Sequence, residues 1–303
     1  MCRQCKINPV WTFTNKRQLC KTCFAKYFRR KINHTIRKFK LISKGDKVGV
    51  AVSGGKDSMT ALYVLNDFCK KSRIPLIVIF VDEGIGDYRN KGRKYIQEFC
   101  ENNNLKFIET SFAKEYKLKL DKKLSKIKKI GISNCYACSI LKRALLNKIA
   151  RKQKITKIAT GHNLDDEAET IFLNFVKGDT KLLAKLGPIA GVLRDKKFAA
   201  RIKPLYLCST KEIVLYAKIR GIKYDKRICP VRSDTLRIKI RKFLANLEKQ
   251  YPEVKKAIVN SYLNIMPMLK EKFKNRKINY CEICGEPTSA NKCKKCWVLR
   301  KLE

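Results

Sequence analysis

Acid is what this sequence lacks most. Its 303 residues include 26 Asp and Glu against 70 Lys and Arg, a formal charge of +44. Self-repulsion on this scale opposes a compact chain, so a polyanionic partner is the natural counterpart. A lysine-rich proteome of the thermophile kind would be rich in Glu as well, and this chain is not. Long apolar runs are also missing. No stretch of about 18 apolar residues occurs, which excludes a membrane-spanning helix. The N-terminus, Met1-Cys2-Arg3-Gln4-Cys5, has no apolar run of the secretory kind. A cytoplasmic protein without membrane contact is expected. Apolar residues still make up 45% of the chain, enough for a real core.

Positive charge is concentrated in three places. Residues 1–47 hold 14 Lys and Arg against one acid, Asp46. Residues 114–129 hold eight Lys against Glu115 and Asp121, and residues 235–279 hold 12 Lys and Arg against three acids. Nucleic acid is the expected partner, with the first and last of these regions, Arg241 and Lys242 included, facing its phosphates.

Cysteine, by contrast, is plentiful. Eleven of the 14 fall into motifs, which in a long cytosolic chain points to metal or catalysis instead of disulfides. Cys2-x2-Cys5 with Cys20-x2-Cys23 opens the chain, and Cys281-x2-Cys284 with Cys293-x2-Cys296 closes it. Two CxxC pairs set four thiolates tetrahedrally around zinc, so two closed structural Zn2+ sites are expected. Cys69, Cys100 and Cys208 belong to no motif and are expected in the core.

Between the knuckles the pattern is α/β. Buried strands are predicted at 47–52, 76–81, 106–109 and 157–160, with strand-like residues near 201–207. Helices are predicted at 57–70, 92–103, 136–152, 164–177 and 210–220. Strand–helix alternation argues for a doubly wound parallel sheet. From 233 to 275 the pattern turns helical, with Pro252 starting a helix and Pro267 kinking or breaking it. The expected organisation is a knuckle at 1–30, a catalytic domain at 31–232, a basic helical segment at 233–278 and a second knuckle at 279–303.

Ser53-Gly54-Gly55-Lys56-Asp57-Ser58 follows the first long strand and opens a helix. The glycines let the backbone turn tightly and aim N–H groups inward, and the helix N-terminus adds positive potential. Ser53 and Ser58 can donate hydroxyls, and Lys56 adds charge. Asp57 beside an anion suggests a magnesium partner or a first-turn acid complementing the helix dipole. The spacing is not that of Walker A. Ser-Gly-Gly-x-Asp-Ser after a first strand is similar to the PP-loop of the ATP pyrophosphatases. That resemblance implies ATP cleavage between the α- and β-phosphates, with Mg2+ bound, and adenosine contacts at Val81-Asp82-Glu83-Gly84.

Cys135 and Cys138 begin a basic helix and share a face with Lys142, and Cys229 stands before Pro230. A helix N-terminus favours thiolate. Two arrangements suit three such cysteines: an iron–sulfur cluster with one iron open, or a persulfide relay between two of them. A further candidate is Gly161-His162-Asn163-Leu164-Asp165-Asp166-Glu167-Ala168-Glu169. Asn163 and Asp166 fit a helix start. Acids so close together in a basic chain, at the C-terminal edge of a parallel sheet, mark Asp165 or Asp166 for catalysis or magnesium.

Together these motifs closely resemble the tRNA 2-thiouridine synthetases of the TtuA type over nearly the whole chain. The resemblance implies a 4Fe–4S cluster on Cys135, Cys138 and Cys229, with Lys142 and Asp166 essential beside it. It implies tRNA as substrate and a ubiquitin-like carrier protein or sulfide as sulfur donor, with a homodimer left open. The uridine O2 would attack ATP, and sulfur would then displace AMP from the adenylated base. Cys-x-x-Cys-x3-Lys-Arg-x-Leu-Leu-Asn favours 5-methyluridine 54 of the T loop over wobble uridine 34. The rival readings are a non-catalytic RNA-binding protein and sulfur-free tRNA adenylation, neither of which needs three site cysteines.

Overall fold

A computed structural model describes every residue except 3, 194, 196, 234, 235 and 276. The chain opens with β1 (Trp11–Thr12) and β2 (Gln18–Leu19), an antiparallel hairpin, and α1 (Lys21–Lys38). Phe24, Phe28, Ile32 and Ile36 recur every four residues along α1 and are fully buried. The helix runs through the expected boundary at residue 30, so the first knuckle continues directly into the sheet domain.

The sheet domain follows as β3 (Val48–Val52), α2 (Lys56–Ser72), β4 (Leu76–Asp82), α3 (Asn90–Asn102) and β5 (Lys106–Ser111). Next come α4 (Phe112–Tyr116), a 3-10 turn at Leu120–Lys123, α5 (Leu124–Lys129), α6 (Asn134–Lys152) and β6 (Lys157–Ala159). Then come α7 (Leu164–Val176), α8 (Thr180–Ala184), β7 (Ala200–Ile202) and α9 (Thr210–Ile219). All five long strands are parallel, in the order β5-β4-β3-β6-β7. Val50 pairs with Val78 on one side and Ala159 on the other. The order reverses between β3 and β6, which places a crevice at their C-terminal ends. The last strand is shorter than expected, ending at Ile202.

Each side of the sheet has its own core. Val78 and Phe80 join Val50, Phe24, Leu62 and Tyr216 on the α1–α2–α9 side. Ile77, Ile79 and Val81 face the other way, onto Leu141, Leu145 and Ile149 of α6. This alternation with both faces apolar is why β4 reads as a continuous hydrophobic run. Cys69, Cys100 and Cys208 are buried in the first core, as expected.

Two long helices follow, α10 (Leu236–Gln250) and α11 (Val254–Lys272), and with α7 they enclose a third cluster. The helical segment expected from 233 thus starts at Leu236, with 234 and 235 outside the described residues. Pro252 lies two residues before α11 instead of opening it. Pro267 sits inside α11 without ending it. Leu263, Met266 and Leu269 around it pack into the third cluster, and that packing outweighs the lost hydrogen bond.

The chain ends with β8 (Asn279–Tyr280), β9 (Pro287–Thr288) and α12 (Lys294–Leu302). This second knuckle is no loose appendage. Val298 and Leu302 are buried in the same core as α6. Lys123 Nζ donates to the Leu302 carbonyl at 2.7 Å, and Arg151 of α6 binds Glu286. Among the described residues, no helix is long and apolar enough to cross a membrane.

Candidate active site at the sheet switch point

The loop after β3 has the shape its sequence suggests. Gly54 adopts φ +81°, and a Cβ there would stand 2.4 Å from the Gly92 Cα, so only glycine fits. Gly55 is the N-cap of α2, which leaves the N–H groups of the first turn without side-chain caps and free for an anion. Ser58 Oγ accepts from Ser53 N–H at 3.1 Å and donates to the Gly55 carbonyl, closing the loop on itself. Asp57 is held by Lys56 Nζ at 2.6 Å and by Asn163 Nδ2 at 3.0 Å. It therefore ties the loop after β3 to the loop after β6. Gly161 permits that contact, since a Cβ there would lie 2.7 Å from Ser58 N.

Beside the loop lies a residue that the sequence named only within the stretch expected to contact adenosine. Glu83, at the end of β4, is fully buried. Arg89 grips it with two bonds, at 2.8 and 2.9 Å, and Lys142 Nζ contacts Oε1. Burial alone would raise this carboxyl; Lys142 and Arg89 outweigh it and bring it down to about 2. Arg89 also donates to the Ser53 carbonyl at 3.1 Å. One buried ion triad thus connects the phosphate loop to the cysteine helix. The signal was an acid directly after a buried strand in an acid-poor chain. Asp82 accepts from the Gly84 N–H at 2.9 Å and shapes the same turn.

Cys135 lies in the first turn of α6, capped by Ser133, and Cys138 follows at the start of the second. Asn134 N–H donates to Ser233 Oγ at 3.0 Å, and its side chain donates to the Val231 carbonyl at 3.2 Å. Those bonds carry the Cys229 loop onto α6. Cys138 and Cys229 both pack against the α6-side core, and Cys135 is exposed. Burial pushes the Cys138 thiol up to about 11 despite Lys142 and Arg89, opposite to the effect expected of a helix N-terminus. The three sulfurs do not close up as those of the four-cysteine groups do. A polynuclear cluster, in which each thiolate binds its own iron, does not require the sulfurs to be that close.

The acidic segment divides. Asp166 completes a capping box with Asn163 and is approached by Arg237 at 3.5 Å. Burial raises its carboxyl to about 6; Arg237 opposes the rise, while Asp57 and Glu169 add to it. Asp165 turns elsewhere, accepting from Thr210 N–H and Lys255 Nζ, both at 2.8 Å. Glu169 holds Arg241 at 2.6 Å and Arg237 at 3.2 Å. Arg241, expected to face RNA, is thus a clasp between α10 and α7, whereas Lys242 is exposed. His162 keeps an open face to solvent while protein crowds around the ring. That crowding first, then Lys203, Arg143, Arg237 and Arg201, depress it to about 3. Arg143 and Arg201 have no acidic partner among the described residues, and each is lowered by burial and a neighbouring arginine. They leave a basic wall beside His162.

In each four-cysteine group, Cys2-Cys5-Cys20-Cys23 and Cys281-Cys284-Cys293-Cys296, the sulfurs lie within 4.8 Å of one another. Cys5 and Cys23 sulfurs stand 3.4 Å apart, and Cys284 and Cys293 sulfurs 3.6 Å. Tetrahedral zinc with bonds near 2.3 Å would set them about 3.8 Å apart. The groups are compatible with metal binding.

Comparison with known proteins agrees with this geometry. The PP-loop domain family matches residues 24–248. A probable sulfurtransferase of Methanocaldococcus jannaschii is 39% identical over 95% of this chain and 84% of its own length. The tRNA-5-methyluridine(54) 2-sulfurtransferase of Pyrococcus horikoshii is 34% identical over 94% of this chain and 89% of its own. The structure of the U34-tRNA thiolase NcsA from Methanococcus maripaludis, with its [4Fe-4S] cluster, superimposes with a TM-score of 0.83 at 32% identity. It covers 99% of this chain and 96% of that one. The chain belongs to the PP-loop family of ATP pyrophosphatases, in its tRNA sulfurtransferase group.

Proposed function

We propose that this protein is a cytoplasmic enzyme that 2-thiolates 5-methyluridine 54 of tRNA through an adenylated base. One observation carries the reading: Arg89 binds Glu83 and the Ser53 carbonyl together, joining an ATP cradle to the cysteine helix. A protein that only bound RNA would need neither part. The relative from Pyrococcus horikoshii, named for position 54, supports that position. The likeness to NcsA, named for U34, supports the wobble position as a second reading. Position-resolved mass spectrometry of tRNA nucleosides from cells with and without the protein decides between them. Loss of 2-thiouridine at neither position would overturn the proposal.

In the proposed reaction, N–H groups at the start of α2 hold the ATP phosphates, with Lys56 neutralising charge; Mg2+, which Asp57 would help to hold, would supply further neutralising charge. The uridine O2 attacks the α-phosphate and pyrophosphate leaves. When bound by Cys135, Cys138 and Cys229, a 4Fe–4S cluster would offer an iron without a protein ligand as the carrier of sulfur. Lys142 is held by Glu83 beside these cysteines, positioned to stabilise negative charge as AMP departs. Sulfur would come from a ubiquitin-like carrier protein or from sulfide. The two knuckles, each with a structural Zn2+, hold their helices in place.

Lys56→Ala should weaken ATP binding and stop thiolation while leaving tRNA affinity within about two-fold. Calorimetric titration with each ligand checks this, and a variant that lost tRNA instead would misplace the nucleotide. The pH profile carries a second expectation. Asp166 titrates near 6, so it is charged above that pH and neutral below it. If its carboxylate serves the reaction, the rate should fall on the acid side with an apparent pKa near 6. Asp166→Asn should leave a low rate without that limb.

A further inference from the structure

The C-terminal knuckle has an outer face that neither the ATP loop nor the cysteine site uses. Val298 and Leu302 point α12 into the core. Helical spacing then turns Trp297, Arg300 and Lys301 outward together. Trp297 remains 37% exposed beside a fully buried Val298. It lines a cavity of about 350 Å³ with Ile283, Lys292, Cys296, Arg300 and Lys301. Lys294 Nζ lies 5.7 Å from the centroid of its ring. No acid occurs between residues 287 and 302. Lys292, Arg300 and Lys301 have no acidic partner within 4 Å among the described residues.

We propose that this cavity is a seat for one unstacked nucleobase of the RNA, with Trp297 as the stacking platform and Lys292, Arg300 and Lys301 on the flanking phosphates. The proposal rests on the tRNA reading above and adds a contact that the active site does not supply. A phosphate site alone would have no use for an exposed indole. An indole ringed by unpaired cations is the arrangement that holds single-stranded nucleic acid, where the base supplies a π-face and the backbone supplies negative charge.

The chain has two tryptophans, which makes the test direct. Trp11 is packed against Phe24, with its indole nitrogen buried and unbonded, so Trp11→Phe removes a cost and keeps a ring in place. In the full chain carrying Trp11→Phe, Trp297 is then the sole tryptophan. Titration with an unmodified tRNA transcript should quench its emission to saturation, and heparin, which has charge but no bases, should not. Trp297→Ala should weaken tRNA affinity roughly 5- to 150-fold, and Trp297→Phe should restore most of it. Saturable tRNA binding without a change in emission, or equal quenching by heparin, overturns the base seat. A Trp297→Ala protein that binds tRNA normally but loses thiolation only when a carrier protein replaces sulfide as donor also overturns it, and assigns the cavity to protein. Thiolation assayed on the same samples separates the two readings. Quenching without any thiolation removes the sulfurtransferase proposal and keeps this one; thiolation without quenching does the reverse.

Discussion

Replacing Glu83 with alanine should cost about 3–5 kcal/mol of stability and abolish thiolation. The reason is what remains behind. Lys142 and Arg89 would keep their positive charges beside an apolar core with no anion between them. Chemical denaturation read by circular dichroism measures the loss. The pH dependence gives an independent check with a definite sign. A carboxyl held near 2 in the folded state stabilises the protein fully above its unfolded pKa, near 4.5. That contribution, about 3 kcal/mol, should fade as pH falls through 4 towards 2. Glu83→Gln should flatten this part of the curve. Pairing it with Lys142→Met should recover stability, because one stranded charge is gone, yet should not recover activity. Recovery of both would mean that Lys142 serves only to neutralise Glu83.

Cys138→Ser should reduce thiolation to background while ATP binding stays intact. Wild-type protein purified without oxygen should be brown, and the variant should lack that absorption. The same should hold for Cys135→Ser and Cys229→Ser, because the Asn134 bonds tie the Cys229 loop to the start of the helix that carries the other two. The outcome that would sink the cluster is specific: colourless, active wild type, with one of the three cysteines dispensable. That pattern belongs to a persulfide relay between the other two.

Strands β3 and β4 and the loop at 53–58 could be read from sequence because their determinants are local. An apolar run, a Gly-Gly turn and a helix start occupy consecutive positions. Asn163 and Asp166 were legible for the same reason, since a capping box spans four residues. Glu83 was harder because its partners come from the loop after β4 and from α6, and nothing local joins them. Arg241 has a role that its own segment did not reveal. Its basic neighbourhood suggested RNA, but Glu169, on another helix, takes the Nε–Nη2 edge of its guanidinium. The attachment of α12 was hidden because two apolar residues in a basic stretch are too weak a signal to reveal burial.

The two knuckles close opposite faces of one sheet. Cys2, Cys20 and Cys23 lie in the core on the α1 side, while Val298 and Leu302 lie in the core on the α6 side. This has a consequence for the order of synthesis. The helix carrying Cys135 and Cys138 leaves the ribosome long before the segment that covers its apolar face. Until α12 arrives, the part of the α6-side core that Val298 and Leu302 complete is left open. One face of the sheet can mature early, while the chemically reactive face must stay open until the second knuckle has folded onto it.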